Sequence, residues 1–220
     1  MRSKRVHLSL LVAVASALAL SQSAAADRQP VRFNAADQAA ARGAVLRKAD
    51  FGGVAGWKGG LTKPDFKPSP CGGYEPKSTD LLVTGAAASE WEHTSGLAFI
   101  SETWVLRTPA MVKLDWRRAV EHRGYLECLV EKQFAGEAAM RLVSFEQTRF
   151  PKLAPLCRRY RLLVDYAGEG QTVRIMFDVI LMGKGRTELS LASVAPYAAR
   201  RAVEVAELRL ARMLVGRATA

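Results

Sequence analysis

The chain has 220 residues, 49% of them hydrophobic and 24% charged, with a formal net charge of +11. This length suits one domain, or one domain with a short extra segment, and is enough to bury a full core without staples. The Lys and Arg residues are scattered with no long basic run, which argues against a nucleic-acid partner and reads as a solvated basic surface.

The N-terminus has the layout of an export signal. Arg2, Lys4 and Arg5 precede an apolar run from Leu8 to Leu20, and Ala24-Ala25-Ala26 supplies small residues for cleavage. The apolar run is well short of the ~20 residues that a membrane span needs. Cleavage after Ala26 predicts a signal peptide over 1–26 and a single domain over 27–220, secreted or held in the cell envelope, with no membrane span left. Losing the three basic residues of the signal leaves a charge of +8. Such a domain would suit an envelope lipid or an anionic polymer as partner.

Asn34 to Ala49 reads as a surface helix, with Asn34 as N-cap, Asp37 in the first turn and a thin apolar stripe of Ala39, Gly43 and Leu46. Residues 50–79 are rich in Gly and Pro and read as a long loop. Phe51, Trp57, Phe66, Cys71 and Tyr74 lie in it, so it is expected to pack down, as a strap over a sheet edge or as a ligand lid.

Leu81–Trp91 and Leu97–Arg107 read as two strands joined by a hairpin loop at 92–96. On the second, Ile100, Trp104 and Leu106 share one face and Phe99 and Val105 the other. Thr108 and Pro109 are an N-cap and first-turn pair. Val112, Trp116, Ala119 and Val120 follow at helical spacing. After Gly124, a second helical piece runs from Tyr125 to Phe134 with Leu126, Leu129, Val130 and Phe134 on one arc, and Gly136 stops it. Met140–Phe150 returns to strand, with Val143 and Phe145 inward.

Residues 157–195 are the centre of the pattern. Three apolar runs are separated by Gly168-Glu169-Gly170 and Gly183-Lys184-Gly185, which predicts a three-stranded antiparallel meander. In the middle run Val173, Ile175, Phe177, Val179 and Leu181 share one parity, while Met176, Ile180 and Met182 make the other face partly apolar too. A strand apolar on both faces is central, with layers on both sides. Asp165 and Asp178 sit near Arg161 and Arg174, which points to cross-strand ion pairs. Ala198–Val215 closes the chain as an amphipathic helix with Ala199, Val203, Ala206, Leu210, Met213 and Leu214 on one face. The fold class that follows is α+β: a mainly antiparallel sheet of about six strands with helices packed on both faces.

Motifs that carry chemistry are missing from the sequence. It has no G-x-S-x-G elbow, P-loop, H-E-x-x-H or dinucleotide fingerprint, so no catalytic residue, metal ligand or cofactor is assigned. His93 sits beside Glu90 and Glu92 at a hairpin tip and reads as solvated; His122 ends a helix, where a cation meets the carbonyl end of the dipole. Cys71, Cys128 and Cys157 lack zinc-ligand spacing and include no CxxC. In an exported protein at least one pair is expected to be oxidised, but spacing alone leaves every pairing open.

The runs CGGYEPKSTDLLVTGAAAS from Cys71, TPAM and DWRRAV from Thr108, CL at Cys128, and RFPKLAPLCRRYRLLV with FDVILMGKGRTELSLASVAP from Arg149 onward resemble secreted actinobacterial proteins of a PsbP-like class. They are also similar to extracellular sensor domains of some mycobacterial serine/threonine kinases. The resemblance covers most of residues 43–215. It implies an antiparallel sheet sandwiched by helices and an exported sensing, binding or lipid-related role. It also implies a Cys71–Cys128 disulfide with Cys157 free, and it carries over no catalytic residue. Kinase domain and span are both lacking here, so the resemblance does not extend to direct signalling.

Three function classes are consistent with these readings. The first is a non-catalytic module that binds or senses a small or lipid-like envelope ligand, in an apolar cavity lined by Trp57, Tyr74 or Trp104. The second is a structural or interaction protein of the envelope with a closed core. The third is an unrecognised hydrolase, marked by a His or carboxylate of strongly shifted pKa in a cleft.

Overall fold

A computed structural model of the chain describes residues 29–64, 70–122, 124–168 and 170–218. The export signal and its cleavage site lie outside the described residues, as do Phe66 and Glu169. Seven strands form one sheet, all pairs antiparallel, in the order β1-β2-β3-β7-β6-β5-β4. The strands are β1 Trp57–Thr62, β2 Val83–His93, β3 Ala98–Leu106, β4 Met140–Thr148, β5 Leu156–Gly168, β6 Gln171–Lys184 and β7 Thr187–Pro196. Among the described residues four α-helices cover it: α1 Ala35–Gly43, α2 Pro109–Asp115, α3 Tyr125–Phe134 and α4 Arg200–Arg217. The α+β class is as expected. The meander of β5, β6 and β7 forms one side of the sheet's centre. No helix among the described residues is long and apolar enough to cross a membrane.

The seventh strand comes from the stretch read as a loop. β1 pairs with β2 from Trp57↔His93 to Thr62↔Ala88, so it extends the sheet rather than covering its edge. Its sequence, WKGGLT, hides the strand because two glycines replace the alternating side chains that strand periodicity needs. Gly59 is required there: a Cβ on it would meet the Glu90 carbonyl oxygen at 2.0 Å.

The first helix also ends sooner than Ala49. Asn34 caps it by accepting from Asp37 N at 2.8 Å, but it stops at Gly43. Ala44, Val45 and Leu46 are then fully buried against the sheet. Their backbone groups find side-chain partners in place of a helical ladder. Thr103 Oγ1 donates to Ala44 O at 2.9 Å, Trp91 Nε1 donates to Leu46 O at 3.2 Å, and Leu46 N donates to Ser101 Oγ at 2.8 Å.

On β4, a register shift between Leu142 and Ser144 changes which residues face inward. Leu142 and Phe145 pack inward, and Val143 is exposed, contrary to the alternation expected of it. Thr108 and Pro109 open α2 as expected, with Thr108 accepting from Met111 N at 3.3 Å.

The two sheet faces are covered unequally. On one, α1 and α4 seal the central strands: Phe99, Ser101, Thr103, Leu189, Leu191, Met176, Ile180 and Met182 are all at most 2% exposed. On the other, beneath α2 and α3, Ile100, Trp104, Val179, Leu181, Glu188 and Ala192 remain only half-buried. The meander's two apolar faces are thus real, but only one is closed.

Candidate functional site

The open face holds two adjoining apolar chambers under α3. One, of about 160 Å³, lies between α3 and strands β3 to β7. Ile100, Leu129, Phe134, Phe145, Phe177 and Leu181 are among its walls. The other, of about 300 Å³, lies beside it toward α2 and is bounded by Trp104, Trp116 and Tyr125. Leu126, Leu129 and Leu181 belong to both walls, so these side chains stand between the chambers. Each fits the concave, mainly apolar character of small-molecule sites.

Local sequence explains the space. After α2 the chain makes a π-helical turn, Trp116–Val120, in which Glu121 N donates to Trp116 O at 3.0 Å. Such turns add a residue to the ladder and re-aim side chains; here Trp116, Ala119 and Val120 line the larger chamber. Gly124 then takes a φ of 77°, which favours glycine, and starts α3 in a new direction. The expected arc of Leu126, Leu129, Val130 and Phe134 faces the sheet, but it stands off from it enough to leave the smaller chamber.

The larger chamber is not purely apolar. Asp115 at the end of α2 and Glu188 on β7 share a side-chain hydrogen bond. Trp104 is the register partner of Glu188 across β3 and β7, and Glu102 lies two residues along the same face. Burial raises the Glu188 pKa well above the carboxylate range, and the charge and hydrogen bond of Asp115 add to it. Burial raises Asp115 too, against the hydrogen bond from Glu188 and the charge of Arg118, both of which lower it. Glu188 therefore keeps its proton and donates it to the Asp115 carboxylate, and the pair carries one negative charge. Glu188 Oε1 is buried and has no hydrogen-bond partner among the described residues. Burial, and then the Asp115 charge, push the Tyr125 phenol up to about 12.

The sequence-predicted residues separate. Trp104 lines the larger chamber. Tyr74, expected to line the cavity, is not among the lining residues of either chamber: it is stacked on His122 with ring centres 3.6 Å apart and edge-on to Tyr125 at 5.5 Å, and its hydroxyl donates to Arg118 O at 3.2 Å. Trp57 is on the sealed face, stacked on Phe51 at 4.0 Å, and lines neither chamber. Cys71 and Cys128 form a disulfide that ties the segment before β2 to α3, and Cys157 is free. His93 is held at the β2–β3 hairpin by Ser95 Oγ and Ala55 O, away from both chambers. Asp115 and Glu188 were not singled out from sequence. Asp115 reads as one more polar residue on an amphipathic helix, and Glu188 as the outward member of an alternating strand. Only the half-open face makes them a pair.

A second polar cluster lies on the sealed face under α4. Arg161 Nε and Nη2 donate to Asp178 at 2.7 and 2.5 Å, and Nη2 also donates to Glu204 at 2.9 Å. Ser193 Oγ donates to Glu207 Oε1 at 2.5 Å, and Arg159 Nη1 to Glu207 Oε2 at 3.5 Å. Glu207 is fully buried, and the cluster fastens α4 to the sheet.

No protein-family model and no characterised relative matches the chain.

Proposed function

We propose that this is an exported module that binds or senses a small, largely apolar ligand, lipid-like in character, held between α3 and the sheet. The observation that carries this reading is the unequal coverage of the two faces. The central strands are sealed on one side, while on the other Ile100, Val179, Leu181 and Ala192 stay half-buried beneath a helix that is itself apolar toward them. Leaving this much apolar surface open costs about 25 cal/mol per Å², a loss that an apolar ligand recovers. The PsbP-like resemblance supports an exported binding or sensing role. The Cys71–Cys128 disulfide fits an oxidising, extracytoplasmic compartment.

The test has two parts. A native mass spectrum of protein purified from its own envelope fraction should show a bound small molecule and an N-terminus at or near Asp27. An apolar fluorophore such as N-phenyl-1-naphthylamine should bind the purified domain, and Ala192→Leu or Leu129→Trp, which fill the chambers, should abolish that binding while the fold is kept. Fluorophore binding that ignores both substitutions would end this reading.

One observation favours the hydrolase as second reading. Asp115 and Glu188 share a proton in a cleft, as a general acid and base do. A turnover lost in Glu188→Gln would establish it over simple binding.

A further inference from the structure

The acid pair indicates what the ligand carries at its polar end, and this step rests on the binding reading above. We infer that the larger chamber takes the cationic N–H head group of an amphiphile, a primary or secondary ammonium, whose apolar body occupies the chamber under α3.

Four features of the site converge on that chemistry. The larger chamber is bounded by three aromatic side chains, Trp104, Trp116 and Tyr125, whose ring faces attract a cation. Asp115 and Glu188 meet there with one negative charge between them, which matches a single ammonium and repels a head group that is anionic alone, such as a carboxylate. Glu188 Oε1 is buried without a donor among the described residues, and an unsatisfied buried acceptor favours a ligand that brings an N–H. The wall shared with the smaller chamber is Leu126, Leu129 and Leu181, so an alkyl chain continuing from the head group passes between leucine side chains into a mainly apolar chamber.

The surrounding charges do not cancel this preference. Arg118, whose charge reaches Asp115, already donates to both oxygens of Asp80, at 2.6 and 3.0 Å, and to Lys77 O. Glu102, from β3, adds a further carboxyl to the same wall. Tyr125 presents a neutral phenol.

The experiment compares ligands of equal chain length by calorimetry on the full domain: n-octylamine, n-octanol, octanoate and octyltrimethylammonium, all below their aggregation concentrations. Octylamine should bind about tenfold tighter than octanol. Octanoate should bind more weakly than octanol, and the quaternary ammonium more weakly than octylamine because it has no N–H to give. Asp115→Asn with Glu188→Gln should erase the advantage of octylamine and leave octanol unchanged. If the double variant does not fold, the four-ligand ranking on the unaltered domain decides alone. Equal binding of octylamine, octanol and octanoate would overturn the head-group inference and leave the apolar site standing. Failure of all four to bind would remove both. Dihexanoyl phosphatidylethanolamine separates the sources of the ammonium: binding as tight as octylamine assigns a lipid head group, and binding no tighter than octanol assigns a free amine. Either result keeps the N–H cation as the recognised group.

Discussion

Arg161 on β5 and Asp178 on β6 are direct register partners, and the guanidinium meets both carboxylate oxygens in a buried two-pronged pair. A slip of one strand by one residue would put Arg161 and Asp178 on opposite faces and break the pair, so the pair fixes how the meander is aligned.

Removing one partner leaves the other charge buried. Asp178→Ala or Arg161→Ala should cost about 3–5 kcal/mol. Arg174 and Asp165 are register partners in the same way, but nearer the end of the hairpin, and the Arg174 side chain is 44% exposed. Arg174→Ala should therefore shift the urea midpoint far less. Equal shifts for the two arginines would contradict the assignment of burial as the deciding factor.

Glu207 gives stability a pH dependence of definite sign. Burial first, and then the nearby Asp178 charge, raise its pKa from 4.5 to about 8. In the unfolded chain it ionises near the lower value, so between the two the native state holds a proton that the unfolded state has released. This contribution is fully present below about 4.5 and is lost as pH rises through about 8. Urea unfolding from pH 5 to 8.5 should show stability falling across that window, and Glu207→Gln should flatten the fall. A variant that keeps the same slope would assign it to other groups.

The Cys71–Cys128 bridge closes 57 residues of chain. The chain-entropy account puts its effect near 4 kcal/mol, before any strain in the native state is subtracted. Because β1 is held by its ladder to β2, the loosening on reduction should spare residues 57–62 and fall on residues 70–79 and α3. Hydrogen exchange with and without reductant reads this directly. Since α3 roofs both chambers, ligand affinity should drop before the meander opens. Unchanged exchange in α3 would separate the bridge from the roof.

Gly85 lets α1 lie directly on β2. A Cβ there would come within 2.3 Å of Asp37 O. Gly85→Ala should destabilise by about 1–3 kcal/mol through overpacking, by pushing α1 off the sheet. A thermal midpoint unchanged within error would show that α1 can shift freely.

Much of the fold is legible in the sequence because β3, β6 and α4 carry strong periodicity, and because Thr108-Pro109 and Gly124 punctuate the chain with recognisable chemistry. The cross-strand pairing of Arg161 with Asp178 and Arg174 with Asp165 also follows from spacing once the hairpin is placed. β1 escapes because glycines erase its alternation, and Val143 because a bulge shifts parity without leaving a sequence mark. The site is less legible. Trp104 could be picked out as an aromatic on a strand, but its partners Asp115 and Glu188 come from elements far apart in the chain. What brings them together is the docking of the end of α2 against β7, a long-range contact that no local residue pattern encodes.

The strand order has a consequence for how the sheet assembles. β1–β3 and β4–β7 are each built from neighbours along the chain, whereas the β3–β7 ladder joins residues roughly a hundred positions apart. That seam closes the longest loop of any strand pair in the sheet and is therefore the slowest pairing to form. Trp104 and Glu188 face each other across it, and Ile100 and Ala192 lie on it in the roofed chambers. A ligand held in the chambers would span this seam and add to the ties that already cross it elsewhere, the Arg186–Asp37 and Arg217–Asp50 ion pairs.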